Sequence, residues 1–136
     1  MDVQEVRKLD AYLKKLFGTQ RVRVVPKGAK SADVFMGEEN LGEMTLDDED
    51  EDLSYNFRMV IDLGAQTDLP PAPMLTAYLR RKFDNENIRV VARPKKQDSL
   101  EAYVGEEFIG VLFIENEKGR RSYILELPIL DVDLAG

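Results

Sequence analysis

The chain has 136 residues, with 19 Lys and Arg against 26 Asp and Glu, for a net charge of -7. It contains neither cysteine nor histidine. That excludes disulfides, thiolate chemistry and Cys- or His-based metal sites, and it removes the usual general base near neutral pH. Apolar residues make up 43% of the chain, enough for a core, yet no run reaches the roughly 18 residues that a membrane-crossing helix needs.

Val6, Leu9, Leu13 and Leu16 recur at helical spacing, with Tyr12 and Phe17 beside them, and predict an opening helix that buries this stripe. Its N-terminal segment is charged throughout and carries no apolar signal core, so a cytoplasmic protein is expected. Period-two alternation then predicts four strands over 21–25, 31–36, 40–46 and 54–62. Gly37 with Glu38 and Glu39 reads as a hairpin turn. Asp47 to Asp52 is an unbroken acidic run. Its alternate aspartates mimic the start of an EF-hand loop, but Leu53 stands where glycine is needed and Met59 where the closing glutamate belongs, so that reading fails. Like charges in series repel and stay wet, which makes this a solvated or partner-facing loop. No metal and no cofactor is expected.

Residues 64–73, with Pro70, Pro71 and Pro73, read as a stiff linker. A second helix follows, carrying Leu75, Tyr78, Leu79 and Phe83, then strands over 87–92, 99–104, 107–115 and 121–128. Pro128 cannot donate to a ladder, which places the last strand at an edge or at its end.

The second half repeats the first. Leu9, Ala11, Tyr12, Leu13 and Phe17 recur 66 positions on, and after a two-residue insertion Gly37, Glu38, Glu39, Gly42, Ser54 and Tyr55 recur 68 positions on. Across 54 aligned positions 19 are identical, far above chance. The fold class expected is therefore α+β: a tandem αββββ unit with helices on one face of antiparallel sheet and a pseudo-twofold relation. The repeats span 1–63 and 74–136. A unit of about 65 residues has a thin core alone, so the pair should form one compact internal pseudo-dimer and the protein a monomer.

Function is sought where the copies differ. On the sheet face away from the helix, Glu43, Thr45 and Asn56 of the first copy become Val111, Phe113 and Ile124 of the second. Ile109, Val111, Phe113 and Ile124 are thus a candidate apolar patch. It is covered either from within, by the other half or by the tail around Leu130 to Leu134, or by a partner protein. Charge differs too: residues 1–68 carry 9 basic and 15 acidic side chains, residues 69–136 carry 10 and 11. The basic segment Arg93-Pro94-Lys95-Lys96, with Arg89 and Tyr103, has the residue types of a small phosphate or RNA site. The net charge argues against nucleic acid in general. Ser31, Ser54 and their repeats lack any activating partner, and the paired glutamates sit in turns, so catalysis is not expected.

Two stretches resemble a small alphaproteobacterial family of unknown function. The segment from Arg93 through Tyr103, Phe108 and Val111 is similar to its front, and Asp50 to Phe57 with the ending Ile129 to Leu134 is similar to its back. The family is normally a single copy of this repeat, with no assigned activity. The front-like motif sits in the second copy and the back-like motif in the first, which implies a composite binding site from Arg93, Lys95, Lys96, Tyr103 and Phe108 with Tyr55, Asn56 and Phe57. The alternative is that these residues simply pack the interface between the two halves. The reading that follows is a non-catalytic protein–protein interaction or adaptor module. The alternative is an RNA or phosphorylated-ligand binder working through the basic loop and sheet aromatics of the second repeat.

Overall fold

A computed structural model describes residues 1–49, 51–63 and 70–135. The fold is α+β, built as two αββββ repeats in which every paired strand neighbour is antiparallel. It divides into two compact units, Met1–Met59 with Leu127–Gly136, and Val60–Glu126.

In the first unit, helix α1 (Val3–Phe17) opens on a capping box. The Asp2 side chain accepts the Glu5 N–H at 2.8 Å, and Glu5 Oε1 accepts the Asp2 N–H at 3.1 Å. Gly18, at φ 66°, ends the helix in the left-handed region that an L side chain disfavours. Strands β1 (Val22–Gly28), β2 (Ser31–Met36), β3 (Glu39–Asp47) and β4 (Ser54–Ile61) pair in that order. Val6, Leu9, Leu13 and Phe17 of α1 are buried, as are Val24, Val34, Met44, Tyr55, Phe57 and Met59 of the strands. Both periodicities therefore converge on one core, as expected. Glu5 also reaches the sheet, where its Oε2 accepts the Tyr55 hydroxyl at 2.7 Å. That bond ties the helix cap to β4.

The second unit repeats the plan with α2 (Pro71–Phe83), β5 (Ile88–Arg93), β6 (Lys96–Val104), β7 (Glu107–Glu117) and β8 (Arg120–Leu130). Of the expected linker, residues 64–69 lie outside the described residues. Pro71 to Pro73 instead form the first turn of α2, where proline's missing N–H costs nothing. Leu75, Leu79 and Phe83 of α2 are buried, as are Val90, Leu100, Ala102, Leu112 and Leu125 of the strands. Strand β8 continues through Pro128, which lies beyond Glu126, the last residue in register with β7. From Leu127 onward the chain belongs to the first unit, where a short 3-10 turn (Asp131–Ala135) touches α1 and the Asp131 N–H donates to the Leu53 carbonyl at 3.1 Å. The tail therefore belongs with the first repeat.

Each helix also protects its neighbouring strand. β1 pairs only with β2 and β5 only with β6 in the described ladders, leaving one row of backbone groups exposed to strand addition. Asp10 Oδ2 accepts the Val24 N–H at 3.0 Å, and at the equivalent site Thr76 Oγ1 accepts the Val90 N–H at 2.9 Å. Arg80 adds a bond to the Ile88 carbonyl.

The repeated Gly-Glu-Glu segments are the β2–β3 and β6–β7 hairpin turns, with Gly37 at φ 60° and Gly105 at φ 61°. Only the first turn residue has positive φ, the pattern of a II′ turn. Lys118 and Gly119 both have positive φ, the I′ pattern, and close the β7–β8 hairpin. A bulge follows the II′ turn in each repeat, between Val34 and Phe35 and between Ala102 and Tyr103. There Gly42 is forced: a Cβ would sit 2.1 Å from the Arg58 carbonyl oxygen.

One replacement breaks the symmetry. Tyr123 repeats Tyr55 and is equally buried, but Pro71 stands where Glu5 would be, and the Tyr123 hydroxyl has no hydrogen-bond partner among the described residues. Burial, then the Glu5 bond, pushes the Tyr55 phenol well above its ordinary value. Folding therefore favours neutral Tyr55, and the stability this contributes is complete below about pH 10 and is lost as pH rises above it. Tyr55→Phe should cost about 1 kcal/mol in urea unfolding at neutral pH and flatten the loss of stability above pH ~10. Tyr123→Phe, which removes an orphaned hydroxyl, should be neutral or stabilising.

Candidate functional site

The outer face of each unit, opposite its helix, is built on one device. In the first unit the Arg23 guanidinium lies 5.0 Å from the Phe35 ring centre and donates twice to the Gly37 carbonyl. In the second, Arg89 lies 4.5 Å from the Tyr103 ring centre and its Nε donates to the Gly105 carbonyl at 2.9 Å. The cation roofs the aromatic ring and ties it to the hairpin turn, which lets an otherwise apolar ring face water. Arg89 and Tyr103 are thus half of a repeated structural pair.

Beyond that device the two faces diverge. Phe108 stands where the first unit has Asn40, and packs edge-on to Tyr103 with ring centres 5.7 Å apart. Phe113 stands where the first unit has Thr45. Phe108 is 49% and Phe113 43% exposed, and among the described residues they are the two exposed aromatics. Val111 between them is half-buried. It lies in register with Glu101 and Glu126, whereas Glu43 in the first unit lies in register with Asp33 and Arg58 and receives Lys27. The change from Glu43 to Val111 thus accompanies the replacement of its cationic cross-strand neighbour Arg58 by Glu126.

The expected apolar patch of Ile109, Val111, Phe113 and Ile124 is only partly a surface. Ile109 is the extra residue of the bulge and is 7% exposed, and Ile124 is 5% exposed. Phe108, assigned to the composite site, is the true neighbour of the exposed patch. The composite site is corrected more sharply. Tyr55 and Phe57 are core residues beneath α1, 2% and 0% exposed, so neither can meet a ligand. Asn56 alternates onto the other face, in register with Thr45.

The basic segment does not join the aromatics either. Arg93 is in register with Lys96, and Arg89 with Tyr103. Four residues of strand separate the two pairs, roughly 13 Å. Arg93 donates to the Ser99 hydroxyl at 3.0 Å, and Ser99 is in register with Phe113. The basic residues therefore neighbour Phe113, and Tyr103 and Phe108 occupy the other end of the β5–β6 hairpin. The antiparallel order also brings the β7–β8 turn, with Lys118, Arg120 and Arg121, to the Arg93 end. Reading along the chain misses this cluster, because its parts are some 25 residues apart and only the hairpin topology unites them.

The acidic run of the first unit is exposed at Asp47, Asp48, Glu49, Glu51 and Asp52, and Asp50 lies outside the described residues. Lys30 pairs with Asp48 at 3.0 Å. No group of three or more candidate ligand side chains suited to a metal ion occurs among the described residues. Nor, among them, is any helix long and apolar enough to cross a membrane.

If Arg89 serves its own hairpin, Arg89→Ala and Arg23→Ala should each cost about 1 kcal/mol in chemical unfolding. A guanidinium held ready for a ligand would instead be removed with no loss of stability.

The family model described as protein of unknown function (DUF3126) matches residues 5–63 and again residues 73–133. No curated protein and no solved structure matches the chain.

Proposed function

This chain belongs to the DUF3126 family of proteins of unknown function, and we propose that it is a non-catalytic protein–protein interaction module working through the outer face of its second repeat. The observation that carries this reading is the pair of exposed rings, Phe108 and Phe113, on a face where the first repeat presents Asn40 and Thr45. Two copies of one fold differ here by a gain of exposed aromatic surface. Such surface is enriched at interfaces and is a liability elsewhere. A binding role also fits a chain without histidine or cysteine. Its 33% charged composition fits a water-facing surface around that site.

The alternative, an RNA or phosphorylated-ligand binder, draws on the cations near Phe113. Phosphate contacts weaken steeply with salt and docking on Phe108 and Phe113 does not, so binding that persists at high salt favours the interaction module.

The test restores the residues of the first repeat, in a variant carrying Phe108→Asn and Phe113→Thr. Val111 is left alone, because a glutamate there would face Glu101 and Glu126. The variant should melt within roughly 5 °C of the parent and lose a protein that the parent captures from native lysate. Equal capture by both proteins, or a collapse of the melting point, would contradict an interaction surface at this face.

A further inference from the structure

The two repeats serve as controls for each other at the end of the sheet where the β5–β6 and β7–β8 turns lie. In the first unit, the cations at the matching end are occupied. Lys27 bonds Glu43 at 2.8 Å with Asp33 at 3.8 Å, and Lys30 bonds Asp48 at 3.0 Å. Those bonds raise both lysines above their ordinary values. In the second unit two of those three carboxylates have gone: Glu43 is replaced by Val111 and Asp48 by Asn116, while Asp33 is kept as Glu101, which accepts the Tyr103 hydroxyl. Arg93 donates to a neutral hydroxyl on Ser99, and Arg121 to a neutral amide oxygen on Asn116 at 3.2 Å. Lys95, Lys96 and Lys118 have no carboxylate partner among the described residues, and only Arg120 is paired, with Asp62. Phe113 emerges beside Arg93, in register with Ser99.

We propose that this end of the second unit docks an acidic protein segment that carries an apolar residue beside its carboxylates. The inference deepens the interaction reading above and rests on it. Five cations without a carboxylate partner supply the attraction, and the exposed Phe113 ring supplies an apolar contact that salt does not screen. A protein segment fits better than a nucleic acid. Asp98, Glu115 and Glu117 stand at the same end, and the chain as a whole carries -7. A polyphosphate would meet those charges along its whole length, whereas a short peptide needs only a few carboxylates and one anchor. The occupant is thus a segment of the same chemical kind as residues 46–53 of this chain, Leu-Asp-Asp-Glu-Asp-Glu-Asp-Leu.

The probe is a fluorescein-labelled peptide of that sequence, titrated by anisotropy with the full chain at low and at physiological salt. A control peptide replaces each acid by its amide, and a labelled uridine octamer tests the nucleic-acid alternative. The wild-type chain should bind the acidic peptide and leave both comparison probes unbound or much weaker. A variant with Lys95→Glu and Lys96→Glu should lose at least about tenfold in affinity, with the milder Lys95→Gln and Lys96→Gln variant following in the same direction. Phe113→Thr should weaken binding by a similar factor at both salt concentrations. Lys27→Gln with Lys30→Gln, in the first unit, should change nothing. Tighter binding of the uridine octamer, no binding of the acidic peptide, or binding indifferent to Lys95 and Lys96 would overturn the proposal. The parent reading fails separately. If the lysine variants still capture the protein that the Phe108 and Phe113 variant loses, the interaction surface stands and the acidic partner does not.

Discussion

Four strands packed under a single helix have only one of their two faces covered by it, and most of what is distinctive here follows from that constraint. The buried face is settled in the same way twice: an apolar helix stripe, Leu9 and Leu13 or Leu75 and Leu79, closes over alternate strand residues. The helix also covers the exposed strand edge, where Asp10 or Thr76 takes up a backbone N–H that would otherwise invite another strand. What remains is the outer face. The first repeat makes its outer face wettable with Asn40, Glu43 and Thr45, and shields its one ring, Phe35, beneath Arg23. The second repeat keeps the shield, Arg89 over Tyr103, and then adds Phe108 and Phe113 outside it.

Duplication lets one copy carry stability while the other drifts towards a different surface chemistry. The signs of such drift cluster. The bond from Glu5 to Tyr55 in the first unit has no counterpart in the second, where Pro71 leaves the Tyr123 hydroxyl without a partner among the described residues. Lys27 and Lys30 are ion-paired in the first unit, whereas at the matching end of the second Arg120 pairs with Asp62 and Arg93 and Arg121 bond neutral atoms. A buried unsatisfied hydroxyl costs stability, and exposed aromatics cost solubility. Their presence together in the second unit is what selection for a surface, at some expense to stability, would leave behind.

Much of the fold was legible in the residues. The helix stripes, the alternation of the strands, the glycine turns and the repeat itself depend on local spacing, and each is present as expected. The resemblance to a family of unknown function, in two tandem copies, likewise holds over both repeats. The site was less legible, for three physical reasons. A bulge shifts strand alternation by one residue, and that turned Ile109 inward where a regular strand would have pointed it out. Tyr55 and Phe57 attract attention as aromatics in a family-like motif, yet their parity puts them in the core, and the parity was visible. The cluster around Phe113 depends on which hairpin ends coincide. That is a property of topology, and no spacing along the chain reveals it.

The central claim is that the second repeat, and not the first, presents a surface to another protein. The most direct measurement places a photo-crosslinking phenylalanine analogue at position 113 in one chain and at its equivalent, position 45, in another, and irradiates both in the native cell. The account predicts a discrete protein adduct from position 113 and none from position 45. Adducts of equal yield from both positions, or none from either, would contradict it.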